Sequence, residues 1–189
     1  MGGGDKALHP FGGGTLLDRV IRRLRPQVDA LVLNANGDPA RFGCFKLPVV
    51  SDSIPGFAGP LAGVLAGLDW TAAQRPDCPY IVSVATDTPF LPLDLVPRLA
   101  EELAAAGADL ACAASGGRAH PVFGLWPVRL RENLRRAVVD EAIRKVDLWT
   151  GRHRLVTVCF PDTPVDPFFN VNRPEDFEAA AALLQRAGA

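Results

Sequence analysis

The run Tyr80-Ile-Val-Ser-Val-Ala85, stopped by Thr86-Asp87-Thr88-Pro89, constrains this chain more than any other segment. Its near-continuous apolar and β-branched character suits a strand covered on both faces, and such strands belong to sheets whose crossovers place helices above and below. Around it, apolar runs alternate with segments of helical period. Leu16, Leu17, Val20, Ile21 and Leu24 predict a helix over 16–25, opened by Thr15 with Asp18 as its capping-box partner. Residues 30–33 predict a short strand closed by Asn34-Ala-Asn36-Gly37, and residues 47–50 another closed by Ser51-Asp52-Ser53. Pro60 opens a second helix to about residue 73, and residues 95–106 form a third, ended by Gly107. A strand over 108–114, a turn at Ser115-Gly-Gly-Arg118 and a return along 121–125 predict an antiparallel hairpin. Two short helices within 129–148, a strand over 154–160 and a helix from Pro174 to Arg186 complete the pattern. It predicts an α/β fold of three layers, with a mostly parallel sheet, an antiparallel addition and helices on both faces. With no repeat and no long linker, residues 1–189 are expected to form one domain.

Charge narrows the partners. A formal net charge of -1 supplies no field that would recruit nucleic acid or an anionic membrane, so a small ligand is expected. No apolar run approaches the roughly 20 residues a membrane-spanning helix needs. Cys44, Cys78, Cys112 and Cys159 show no C-x-x-C spacing. They are expected as reduced thiols of a cytosolic protein, each serving as a small core hydrophobe.

In open α/β sheets, ligands bind outside the carboxyl ends of the strands, where loops and helix N-termini converge. Asn34, Asp52 and Asp87 are all expected at such ends. Asp87 could coordinate Mg²⁺, which accepts one or two carboxylates together with phosphate oxygens, or could cap the next helix. Asp52 could hold a ligand or close an Asx-turn before Ser53. The opening Met1-Gly-Gly-Gly-Asp-Lys6 could offer backbone N–H groups and a lysine charge to phosphate, or could be a flexible end. It is not a Walker A loop, and no G-x-G-x-x-G follows a strand, so P-loop and dinucleotide sites are excluded. His9, His120 and His153 have no metal-ligand spacing. His120, before Pro121, either faces an anionic substrate or closes the turn. Asn170 and Asn172, two apart, would share a face if extended. The arginines of 19–25 and 129–136 are expected on solvated helix faces.

Taken in order, Met-Gly-Gly-Gly-Asp-Lys6, Asn34-Ala-Asn36, Asp52-Ser53, Gly59-Pro-Leu-Ala-Gly63, Thr86-Asp87-Thr88-Pro89, His120-Pro121 and Asn170-Val-Asn172-Arg-Pro-Glu-Asp176 resemble the molybdenum cofactor guanylyltransferases. The resemblance spans nearly the whole chain. It implies a Rossmann-like nucleotidyltransferase fold and Mg²⁺-dependent transfer of GMP from GTP to molybdopterin, releasing pyrophosphate. It places Lys6 on the triphosphate, Asn34 and Asp52 on the guanine nucleotide, Gly59 near the base, and Asp87 on the nucleotide and Mg²⁺. Arg118, His120, Asn170 and Asn172 are implied to face the pterin. Cytidylyltransferase relatives tend to carry Asp-x-Asp where this chain has Asn170-x-Asn172, so GTP is the implied nucleotide. Sugar and isoprenoid nucleotidyltransferases are more distant alternatives. Handover proteins that deliver or receive a labile pterin are further implied partners.

Two departures from the family's pattern carry expectations. Family members open with an apolar strand and a Leu-x-Gly-Gly-x-x-x-Arg-Met-Gly segment, and this chain starts at the closing Met-Gly. The reading favoured is a start site placed too late; a catalytically inactive nucleotide-binding remnant and a strand supplied by a partner are the alternatives. A sheet lacking that strand is expected to leave facing edges unpaired, with loss of stability and low activity. Arg173 stands where relatives tend to have Thr before Pro174, which is expected to weaken the helix cap at a small structural cost.

Overall fold

A computed structural model of the chain describes residues 5–54, 56 and 59–186. The glycines of the opening, and the phosphate cradle read from them, lie outside the described residues. Short strands β1 (Pro10–Phe11) and β2 (Gly14–Thr15) form a hairpin that leads into α1 (Leu16–Leu24). The capping box at its start is present: Asp18 N donates to Thr15 Oγ1, while Thr15 N donates to Asp18 Oδ2. Then follow β3 (Leu33–Asn34), β4 (Val49–Val50), α2 (Pro60–Gln74), β5 (Tyr80–Ser83) and α3 (Leu95–Ala105). The chain continues through β6 (Leu110–Ser115), β7 (Arg118–Pro127), α4 (Arg131–Val139), α5 (Val146–Thr150), β8 (Leu155–Cys159) and α6 (Pro174–Arg186).

The main sheet has the order β5-β7-β6-β8. β7 runs antiparallel to both β5 and β6, whereas β8 runs parallel to β6. Three of the four strands therefore point one way, and the reversed strand sits inside the sheet rather than on its edge. Between the pairs Cys112–Gly124 and Ala113–His120 the register jumps, so residues 121–123 bulge from β7. Pro121 lies in that bulge, where its missing N–H costs no ladder bond.

Helices cover both faces, giving three layers. On one face Leu95, Leu99 and Leu103 of α3 and Val20 of α1 pack on Ala111, Phe123, Leu125 and Val158. On the other, Leu61, Val64, Leu65 and Leu68 of α2 meet Leu134 of α4, with Trp126 stacked on Trp149 at 5.8 Å between ring centres. Each fully buried leucine contributes about 1.5–3 kcal/mol relative to exposure.

β3 and β4 form a separate parallel pair. A cavity of about 850 Å³ lies between this pair and β5, lined by residues 29–34 and 79–87 and by Leu17, Ile21, Val64 and Gly67 of the flanking helices. Among the described residues β3 pairs only with β4, and β5 only with β7. The split sheet thus matches the unpaired edges expected from the sequence. The predicted strand over 30–33 registers ladder bonds only from Leu33 onward, where Leu33 N donates to Pro48 O and Ala35 N to Val50 O.

Two expectations need correction. The arginines of α1 are not simply solvated. Arg19 Nε donates to Pro89 O at 3.0 Å and Arg23 Nε to Leu91 O, and burial pulls both guanidinium pKa values down. These bonds fasten α1 to the segment after Asp87, because a half-buried guanidinium needs acceptors. Arg131 and Arg135 likewise converge on Asp69 of α2. Of the cysteines, only Cys112 is a core residue, since Cys44 and Cys159 are exposed and Cys78 is half-buried. All are unbridged. No helix among the described residues is long and apolar enough to cross a membrane.

Candidate active site

The strongest convergence lies just beyond β5. Asp87 is half-buried, and burial pushes its carboxyl pKa up against the lowering effects of a backbone N–H, Lys6 and Thr88. The segment 170–172 runs alongside it: Val171 N donates to Asp87 O at 2.9 Å, and Val171 itself is fully buried. The alternation predicted from spacing therefore holds, with the two asparagines on the side opposite Val171. Asn170 Oδ1 accepts from Thr88 Oγ1 at 2.7 Å, and Asn172 Oδ1 accepts from Lys6 Nζ at 3.0 Å. Lys6, Asp87, Asn170 and Asn172 are thus one constellation. Among the described residues Asp87 makes no ion pair with a cation, which leaves its carboxylate available to a ligand.

Asp176 holds this arm in place. Its Oδ2 accepts from Asn172 N at 2.9 Å and Arg173 N at 2.8 Å, and these two bonds hold its carboxyl below the usual range. This is half a capping box, made from the third position of α6; the side-chain bond that Arg173 cannot make is replaced by a backbone one, Asp176 N donating to Arg173 O at 3.0 Å.

A second cluster forms at the ends of β3 and β4. Asn34 Nδ2 donates to Val50 O at 3.2 Å and to Asp52 Oδ1 at 3.1 Å, while Asn36 Nδ2 donates to Asp52 Oδ2 at 2.8 Å. Asp52 N returns a bond to Asn36 Oδ1. Two parallel strands with short polar residues at their ends produce this lock, and Gly63 of α2 makes room for it. A Cβ at Gly63 would fall 2.5 Å from Asn34 Oδ1. Gly59 forms the N-cap of α2 with φ of 149°, a backbone conformation that suits glycine. Asn34, Asp52, Gly59 and Asp87 all line the 850 Å³ cavity, so both clusters open on one space.

Arg118 and His120 stand apart, on the hairpin between β6 and β7. Arg118 is exposed. The His120 ring lies 4.7 Å from that of Phe168, and its Nε2 is 2.8 Å from Ser115 Oγ. Ser115 donates in turn to Asp166 Oδ1 at 2.7 Å. Asp166 belongs to the same 166–172 arm that touches Asp87, and through it the hairpin joins the first constellation. His9 and His153 have local contacts instead, His9 with Phe177 and His153 with Trp149.

The whole chain, including the segments that carry this site, is similar to known proteins. The chain is 60% identical over 183 residues to a molybdenum cofactor guanylyltransferase of Bradyrhizobium sp. (strain ORS 278), covering 97% of this chain and 86% of that relative. It is 56% identical over 188 residues to the enzyme of that name from Nitrobacter hamburgensis, covering 100% of this chain and 90% of that one. This chain belongs to the molybdenum cofactor guanylyltransferases. Residues 1–155 also match the MobA-like NTP transferase domain. The molybdopterin-guanine dinucleotide biosynthesis protein A of Archaeoglobus fulgidus shares the fold, with a TM-score of 0.75 at 21% identity over 97% of this chain and 92% of that one. The Rossmann-like nucleotidyltransferase architecture expected from the sequence is therefore the family's architecture.

Sequence reasoning missed Ser115, Asp166 and Gly63 as parts of the site. Asp166 had a signal: Asp-Pro initiates turns, and its Oδ1 accepts from Phe168 N two residues on. Ser115 had none beyond its place at the turn.

Proposed function

We propose that the chain joins GMP from GTP to molybdopterin, with Asp87 holding Mg²⁺ and Lys6 set against the triphosphate. The observation that carries this is the meeting of Asp87, Lys6, Asn170 and Asn172 at the carboxyl end of β5 in a member of this family. Mg²⁺ fits the donor set. No group of three or more His, Cys, Asp or Glu side chains gathers among the described residues, and Mg²⁺ needs only one or two carboxylates when phosphate oxygens and water complete its shell. Asp87 would be its protein ligand, and the ion would offset charge on the phosphates.

The chain's own residues do the rest by positioning. Asn34 and Asp52, locked together, hold the guanine nucleotide, with Gly59 close to the base. The terminal phosphate of molybdopterin attacks the α-phosphorus of GTP in line; the new P–O bond forms as the bond to the bridging oxygen breaks, and pyrophosphate leaves. Lys6 stabilises the charge on that leaving group. No covalent enzyme intermediate is needed. Asn170, Asn172, Arg118 and His120 face the pterin, and the paired amides in place of two acids favour GTP over CTP. We read the reaction as cytosolic from the scattered cysteines, which lack C-x-x-C spacing, and a labile pterin would pass through handover proteins.

The test is pyrophosphate release from purified protein with molybdopterin and either GTP or CTP, with and without a Mg²⁺ chelator. GTP should be the better donor and chelation should stop release; faster CMP transfer would overturn the assignment. GTP binding without transfer would identify a nucleotide-binding module instead.

A further inference from the structure

We propose that Asp166 and Ser115 are positioning residues that fix His120 as its Nε2–H tautomer and so present bare Nδ1 to a hydrogen-bond donor of the pterin substrate. The proposal rests on the guanylyl-transfer reading for the identity of that substrate, but the proton placement follows from the chain alone.

An ionised carboxylate can only accept hydrogen bonds, and a serine hydroxyl has one proton. That proton goes from Ser115 Oγ to Asp166 Oδ1 at 2.7 Å. Ser115 Oγ, 2.8 Å from His120 Nε2, can then only accept, so Nε2 must carry the hydrogen. The chain of bonds is held rigid at both ends. Ser115 is 4% exposed, Asp166 Oδ1 also accepts from Phe168 N at 3.0 Å, and Asp166 O accepts from Phe169 N. The imidazole is confined by Phe168 at 4.7 Å and by Phe123, edge-on at 6.2 Å.

Nδ1 is left over. No hydrogen bond reaches it among the described residues, and it is not among the buried polar atoms lacking a partner, of which His153 Nε2 is the one found there. Burial also holds the His120 pKa below its ordinary value, with Asp166 raising and Arg118 lowering it, which favours the neutral ring. A neutral ring with Nε2 protonated offers an acceptor, and pterins are rich in N–H donors. The register jump that pairs Ala113 with His120 ahead of the bulge sets this ring against Phe168 of the 166–172 arm, whose Val171 N donates to Asp87 O.

Nitrogen-15 NMR of the 189-residue protein reads the tautomer directly, with His120→Gln used to assign the signal. The unmodified protein should show His120 protonated at Nε2 alone. Ser115→Ala should give a mixture of tautomers and weaken molybdopterin binding by the reciprocal of the remaining Nε2–H fraction, about twofold for an even mixture, with GTP affinity unchanged. Asp166→Asn keeps an oxygen for both Ser115 and Phe168, so it should retain the Nε2–H form and most of the pterin affinity. Protonation at Nδ1 in the unmodified protein would refute the relay. So would equal losses of GTP and molybdopterin affinity in Ser115→Ala, which a merely structural tie would give. An Nε2–H ring in a protein that binds no pterin would uphold the relay and refute its substrate half, along with the guanylyl-transfer reading.

Discussion

Replacing Gly63 by Ala separates stability from nucleotide binding. The new methyl would sit 2.5 Å from Asn34 Oδ1, about an ångström inside contact distance, so the amide must move. Asn34 cannot move freely, because its Nδ2 is committed to Val50 O and Asp52 Oδ1 at 3.2 and 3.1 Å. Displacing an exposed amide from both acceptors costs about 1 kcal/mol. Alanine within a helix regains about 1 kcal/mol over glycine. The two changes offset, and the Tm should stay within about 4 °C of the unmodified protein. Nucleotide binding has no such offset: losing the Asn34 contact should weaken GTP by about 1–1.4 kcal/mol, roughly five- to tenfold. Gly67→Ala is the control on the same helix, since its methyl would meet only Ile81 Cδ1 at 3.1 Å, the end of a flexible side chain. Calorimetric titration of GTP into both variants, beside thermal unfolding, decides the matter. If Gly63→Ala binds GTP as tightly as the unmodified chain, or if both variants lose affinity equally, Asn34 is not a nucleotide contact.

Asp87→Asn should abolish most transfer, by about 10²–10³-fold as for removal of a preorganised electrostatic contact, while raising thermal stability at neutral pH. The sign follows from burial: a carboxyl whose folded pKa is raised favours the folded state at low pH and loses that advantage as pH rises through the folded value, so the stability gain should vanish below the ordinary carboxylate range. Asp176→Ala should do the reverse. Its carboxyl is held low by the Asn172 and Arg173 N–H groups, so the variant should be less stable at neutral pH, with the difference closing as pH falls through the depressed pKa. Unfolding curves from about pH 2 to pH 8 check both signs, and parallel curves for either variant would show that its carboxylate is not perturbed as described.

Periodicity and punctuation made most of the elements legible. The apolar run ending at Asp87, the Thr15–Asp18 capping box, Pro60 and Pro174 at helix starts, and the Ser115-Gly-Gly-Arg118 turn are all local devices, and local chemistry decides them. The alternation also determined three layers, and the order of strand-end residues determined the family. What only the tertiary structure decided are the pairings between distant segments. β7 lies inside the sheet, Arg19 and Arg23 turn inward to the carbonyls after Asp87, and the 166–172 arm brings Asn172 to Lys6 across 166 positions of sequence. Ser115 and Asp166 are bonded across 51 positions. Neither residue type announces such a bond, because a serine at a turn and an aspartate before a proline satisfy local rules by themselves. Their shared proton exists only once β6 and the 166–172 arm have packed together, and that packing, not any motif, decides which nitrogen of His120 is left free.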